Sequence, residues 1–200
     1  MSVCSSIESN ISKNCNNMVA GVKDKIWLIN LEDIDKDSCV FKTGDELVLE
    51  SIILNTASPA KTAFTLEGKN YSNDYDVALV KGKYNNAYDH NLMFRIFDND
   101  PDVKNWVHNA CNGAKFVIVV ENNYNNKSKV GTPGDSVFEV LGWELGLEIS
   151  EATRNTIDAD TKGGWVLKAT CDETNKEPLP PLTFFKTDLA TTRGLLDALV

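Results

Sequence analysis

Residues 88-YDHNLMFRIFDNDPDVKNWVHNACNGAKFVIVV-120 spell strand, helix, strand. From Tyr88 to Asp98 the side chains alternate: His90, Leu92, Phe94 and Ile96 share one face, Asn91, Met93, Arg95 and Phe97 the other. Both faces are partly apolar, as expected where one side meets the core and the other a helix or a neighbouring subunit. Asp98-Asn99-Asp100-Pro101 then supplies a helix start. The Asp100 carboxylate can accept exposed backbone N–H groups, and Pro101 fits the first helical position, where no N–H is needed. Val103, Trp106, Val107 and Ala110 repeat at helical spacing, and Asn112-Gly113 forms a stop. Phe116 to Val120 is an uninterrupted β-branched run, the mark of a central strand.

The same reading extends outward. Asp74 to Lys83 pairs with Tyr88 to Asp98 as a hairpin across residues 83–87. Lys25 to Asn30, Leu47 to Leu54 and Lys61 to Lys69 are further strands, the last with Phe64 and Leu66 on one face. Val137 to Ile149 reads as one long curved strand bent at Gly142 and Gly146. In Gly164 to Cys171, Trp165, Leu167, Ala169 and Cys171 face one way, Lys168 and Thr170 the other. The prolines of EPLPPL, residues 177–182, restrict that segment to an edge or a connector. Asp188 to Leu199 is a short helix offering Leu189, Leu195, Leu196 and Leu199 for packing.

Five or more strands in series around a single internal helix lack the regular alternation of a doubly wound sheet. The expected fold is mainly β: a β-sandwich or partly closed barrel with one flanking helix. It divides into an N-terminal arm over 1–22, a β domain over 23–186 and a C-terminal helix or extension over 187–200.

The chain has 200 residues, long enough for one core without a stapling disulfide or metal. Its net charge of −9 repels a phosphate backbone from the average surface, yet would suit a conduit through which a polyanion slides without adhering. The five cysteines are widely spaced with no CxxC pair, which points to free, mostly buried thiols in a reducing compartment. No stretch of eighteen apolar residues occurs, and Met1 to Val22 lacks the basic and apolar regions of a signal peptide. A cytoplasmic origin without membrane partners is expected.

Signatures of chemistry are sparse. No GxxxxGK[ST] or GxGxxG occurs. His108 and Cys111 share a helical face and form the nearest approach to a thiol–imidazole pair, whereas His90 alternates in phase with core residues. Glu32 with Asp33, Asp98 with Asp100 and Asp158 with Asp160 read as solvated turns. DIDKD, Asp33 to Asp37, spaces oxygens as a calcium loop does but lacks that loop's glycine and closing glutamate. No catalytic, cofactor-binding or metal-binding residue is assigned, and no cofactor is expected. The four tryptophans suit a core with some partly wet positions at a subunit interface. Trp143 and Trp165 would be the platforms of a competing reading as a small ligand-binding β-barrel, and a Cys/His enzyme is a further alternative.

The opening GVKDKIWLINLEDI, residues 21–34, resembles the GG-x-K-x-x-I-x-L-x-N start of tail-tube-like structural proteins of phages infecting Bacteroidales. KFVIVVENN, residues 115–123, and FEVLGWELGLEI, residues 138–149, resemble a later segment of that family, and Gly164 to Cys171 takes the place of its closing core strand. The resemblance implies a non-enzymatic virion protein that self-associates into a ring, a hexamer or a multiple of one, by joining sheets across subunits. It also implies stacked rings or neighbouring portal, connector or tail proteins, stapled by residues 1–22 and the loop 55–61. DNA would pass through an acidic lumen lined by one sheet face. The chain would be assembled in the host cytoplasm and reside in the tail or at the head–tail junction. The helical terminus from Asp188 has no counterpart in that pattern.

Overall fold

The computed structural model describes residues 20–56, 59–69, 72–83, 85–124 and 129–200. A seven-stranded sheet contains β1 (Val22–Asn30), β2 (Val40–Lys42), β3 (Asp45–Ser51), β4 (Phe64–Glu67), β7 (Phe116–Asn122), β8 (Phe138–Leu141) and β11 (Leu182–Phe184). Their order is β2-β3-β11-β8-β7-β1-β4. A four-stranded sheet holds β5 (Asp74–Lys81), β6 (Asn86–Ile96), β9 (Glu148–Arg154) and β10 (Trp165–Thr170) in the order β5-β6-β10-β9. Helix α1 (Pro101–Ala110) lies beside the sandwich and α2 (Leu189–Asp197) closes the chain. The two sheets form an open sandwich, not a closed barrel.

β7 explains the architecture. Phe116 through Glu121 are all buried, so this strand is covered on both faces. Phe116, Ile118 and Val120 meet Leu92, Phe94, Leu167 and Ala169 of the smaller sheet, together with Val107 and Ala110 of α1. Val117 and Val119 join Trp27, Phe138, Phe184 and Leu196 on the far face. That far face is closed by α2 and by the connecting segments that carry Ile34, Ile52 and Ala63. Segment 187–200 therefore belongs to the same packed body as the strands. Leu196 is fully buried, the guanidinium of Arg193 pairs with buried Glu121 and lies over the Phe138 ring, and Asp197 accepts from Lys25 and the Trp27 indole.

The local signals act as their chemistry requires. Asp100 accepts the Val103 N–H at 2.8 Å, Pro101 opens α1, and Gly113 takes φ +83° just past its end. β5 and β6 pair as the expected hairpin. His90, Leu92, Phe94 and Ile96 are buried while Asn91, Met93 and Arg95 are half-buried.

One expectation is corrected, and one holds with an addition. Residues 137–149 are not one strand: β8 ends at Leu141 in the larger sheet, and β9 starts at Glu148 in the smaller one. Between them Gly142 and Gly146 adopt φ +69° and +79°, left-handed conformations that turn the chain from one sheet to the other. The proline-rich segment 177–182 is a connector, but it leads straight into β11, which sits between β3 and β8 and pairs parallel with β3.

The arm expected over 1–22 lies outside the described residues as far as residue 19, while Val22 is buried and opens β1. The expected staple loop 55–61 is described except for 57 and 58. Asn55 and Lys61 tie it to the body through the Asp33 carbonyl and the Asp33 carboxylate.

Candidate functional site

The residues singled out in the sequence do not converge on one another. His108 and Cys111 are both exposed on α1 and its end. The His108 ring meets the Asn112 amide at 3.2 Å, and partial desolvation at the helix end pushes the Cys111 thiol up, away from the thiolate a nucleophile requires. Cys171 is buried and Cys39 half-buried, so of these three free thiols only Cys111 departs from the expected burial. Asp33 is buried and engaged by Lys61 at 2.8 Å and by Asn30, while Asp35 accepts from the Ser38 N–H. The carboxylates of Asp33 and Asp35 are thus committed to separate local partners. Among the described residues no group of three or more His, Cys, Asp or Glu side chains is placed to hold a metal ion. Trp143 is buried beneath Phe41 and Lys36, so it offers no exposed platform. Trp165 is half-buried with its indole nitrogen enclosed.

His90 and Glu177 instead secure the corner between the sheets. His90 is enclosed on β6 and its Nδ1 accepts the Gly142 N–H at 3.2 Å, which leaves the neutral ring with its proton on Nε2. That proton finds no partner of full hydrogen-bond geometry, although the Leu179 carbonyl pulls on it. Burial lowers the imidazole pKa to about 4, against a smaller opposing pull from Leu179 and Asp89. Glu177, also enclosed, accepts the N–H groups of Glu144 and Leu145 at 3.0 and 2.8 Å. Burial pushes its carboxyl above the usual range in spite of those amides.

The surface features with most capacity for recognition lie on the flanks of the smaller sheet. β5 and β9 are its two ends, and among the described residues each pairs with a neighbour on one side only. Three successive antiparallel pairings separate them, so β5 and β9 run in opposite directions. Leu79 on β5 shares the sandwich-facing register of Tyr75 and Val77, yet is 51% exposed. Beneath β5 a cleft of about 520 Å³ is lined by Asp74, Tyr75, Asp76, Asn122, Tyr124 and Glu139, among others. Within it the Tyr75 hydroxyl donates to Glu139 Oε2 at 2.5 Å, and Asn122 donates to Glu139 Oε1 at 2.9 Å. Burial, reinforced by the Glu139 carboxylate, pushes the Tyr75 phenol well above its ordinary range. A second hollow, about 270 Å³ and more apolar, lies between β4 and α1, where Phe64 and Trp106 face Ala110 and Phe116.

No sequence signal marks the cleft, because its hydroxyl and carboxylate stand 64 residues apart. Compared with models of known families, with curated proteins and with solved structures, the chain matches none. Among the described residues no helix is long and apolar enough to cross a membrane.

Proposed function

We propose that this chain is a structural subunit that joins copies of itself edge to edge into a ring, as in a virion tail tube or head–tail connector through which DNA passes. The observation that carries the reading is the pair of strand edges, β5 and β9, left unpaired among the described residues on opposite flanks of one four-stranded sheet. Open edges present unsatisfied backbone N–H and C=O groups, and natural proteins cover or disrupt them unless another chain is meant to pair there. Neither strand contains proline, and both are of useful length, eight residues in β5 and seven in β9. Their opposite directions suit a heterologous contact. β9 of one copy meets β5 of the next as an antiparallel pair, and repeating the same contact by rotation closes a ring.

Strand spacing sets the scale. Six copies would supply a barrel of roughly 24 strands at about 4.8 Å each, roughly 37 Å across between backbones. A layer of side chains roughly 5 Å deep on each wall leaves a lumen of roughly 27 Å, whereas three copies would leave roughly 8 Å. Only the larger ring would admit a nucleic-acid duplex. The face turned to the lumen carries Asp74, Asp76, Asp89 and Glu151 together with Arg95 and Lys168. Together with the net charge of −9, this suits passage without adhesion. Negative-stain microscopy of the purified chain tests the proposal: rings or short tubes are expected. Single compact particles, with sedimentation showing only monomer over the same concentrations, would overturn it.

A further inference from the structure

We infer that the cleft beneath Tyr75 is a socket for Arg154 of a neighbouring copy, which fixes the register between one copy's β5 and the next copy's β9. The inference rests on the ring reading and adds the residues that specify the contact. Cross-strand partners in an antiparallel ladder point to the same face. On β5, Tyr75, Val77 and Leu79 face the sandwich, because they pair with Leu92, His90 and Tyr88. On β9, Arg154, Ala152 and Ile149 face the same way, because they pair with Trp165, Leu167 and Ala169. Matching these faces sets Tyr75 opposite Arg154, Val77 opposite Ala152 and Leu79 opposite Ile149. Ser150 stands out as the extra residue of the irregularity already present where β9 pairs with β10.

Three independent features select this register. Exposed Leu79 gains an aliphatic partner in half-buried Ile149. Sliding β9 by two residues in one direction would set Asp76 opposite Glu151, a like-charge pair, and sliding it the other way would leave Tyr75 without a partner. The charges also complement each other. Glu139, opposite Val120 on the face turned to the smaller sheet, lies beside Tyr75 on the same side that Arg154 would enter.

Arg154 then projects where Tyr75 forms the cleft wall. Among the described residues Asp74, Asp76 and Glu139 form no ion pair, and the cleft lining includes three carboxylates but no lysine or arginine. Tyr75 and Asn122 hold the Glu139 carboxylate in place, and Tyr75 offers a ring against which a guanidinium can lie. Arg154 is itself exposed, and its Nε donates to the Gly163 carbonyl at 2.9 Å, which steadies the side chain.

Cysteine trapping and sedimentation test the register. In a chain with Cys4, Cys15 and Cys111 replaced by serine, Val77→Cys and Ala152→Cys, prepared separately, mixed and oxidised, should give one covalent dimer and no higher species. The chain carrying both substitutions should give a ladder. Arg154→Glu should weaken self-association at least tenfold, and Arg154→Lys should retain part of it. Cross-linking of Val77→Cys with itself would show a two-fold β5–β5 contact and overturn the inference. Arg154→Glu assembling as tightly as the unaltered chain would overturn the socket while the ring reading stands. An unaltered chain that stays monomeric at every concentration and salt would remove both.

Discussion

His90 is a buried neutral base, and its effect on stability has a definite sign. The unfolded chain protonates this imidazole near its ordinary value of 6.5, while the folded chain does so only at about 4. Between those values the unfolded state holds the extra proton, so stability falls as the pH drops across the window and His90 adds no further loss below it. The shift corresponds to about 3 kcal/mol at most. Glu177 acts in the opposite sense. Its folded-state pKa is raised, so the folded state holds the extra proton just above the ordinary carboxyl value, and acidification there relieves the strain of a buried charge. His90→Gln keeps an acceptor for the Gly142 N–H and removes the titration. Urea unfolding at pH 7 and pH 4.5 should therefore show a smaller acid-induced loss in His90→Gln than in the unaltered chain. Equal losses in the two would assign the acid sensitivity to other groups. The sequence placed His90 on a core face, but its role in holding the corner needs Gly142, 52 residues away, and no local pattern carries that information.

Two elements show what a fold demands of short segments. The corner at 142–147 turns the chain from the larger to the smaller sheet, and its second glycine has no room to change. A Cβ on Gly146 would sit 2.9 Å from Lys115 Cβ and 3.2 Å from Leu31 Cδ2, at φ +79°. Gly146→Ala should lower the unfolding free energy by about 1–3 kcal/mol, read as a shift of the urea midpoint at unchanged slope. Helix α2 buries two side chains completely, the hydrogen-bonded Thr192 and the apolar Leu196. Leu196→Ala removes the latter from the cluster around Trp27 and Phe138, and should destabilise the chain by about 2–5 kcal/mol in the same assay. Elements with local chemistry were legible: Asp100-Pro101 announced α1, alternation announced β6 and β10, and the β-branched run announced β7. The corner was misread because a glycine that bends a strand and a glycine that leaves the sheet look alike until φ is known. β11 was missed because it is three residues long, follows prolines and is defined by its neighbours β3 and β8. The packing of α2 was legible as an apolar stripe, but its anchors Glu121 and Lys25 lie far away in sequence.

At the scale of the molecule, the two sheets differ at their ends: the larger closes on short strands, β2 of three residues and β4 of four, and the smaller on β5 of eight and β9 of seven. Helix, loops and the partner sheet cover both faces of β7, whereas β5 and β9 end their sheet with backbone groups facing outward. The sequence hinted at this through the two-faced pattern of residues 88–97, but free edges are a property of strand order, which alternation does not encode. The cleft beneath Tyr75 is less legible still, since it gathers residues from β5, β7 and β8. Assembly by strand addition makes a demand on edge chemistry that can be separated from folding. Leu79 is 51% exposed in the single chain, so Leu79→Lys should change its thermal stability by no more than about 0.5 kcal/mol. In a joined sheet the same ammonium would have to leave water beside Ile149, and lysine on an open edge is a device that natural sheets use against pairing. Leu79→Lys is therefore expected to unfold at the temperature of the unaltered chain while sedimenting as a monomer at concentrations where the unaltered chain forms rings. Rings persisting in Leu79→Lys would place the subunit contact elsewhere on the surface. Loss of both rings and the thermal transition would show that Leu79 supports the fold of the single chain.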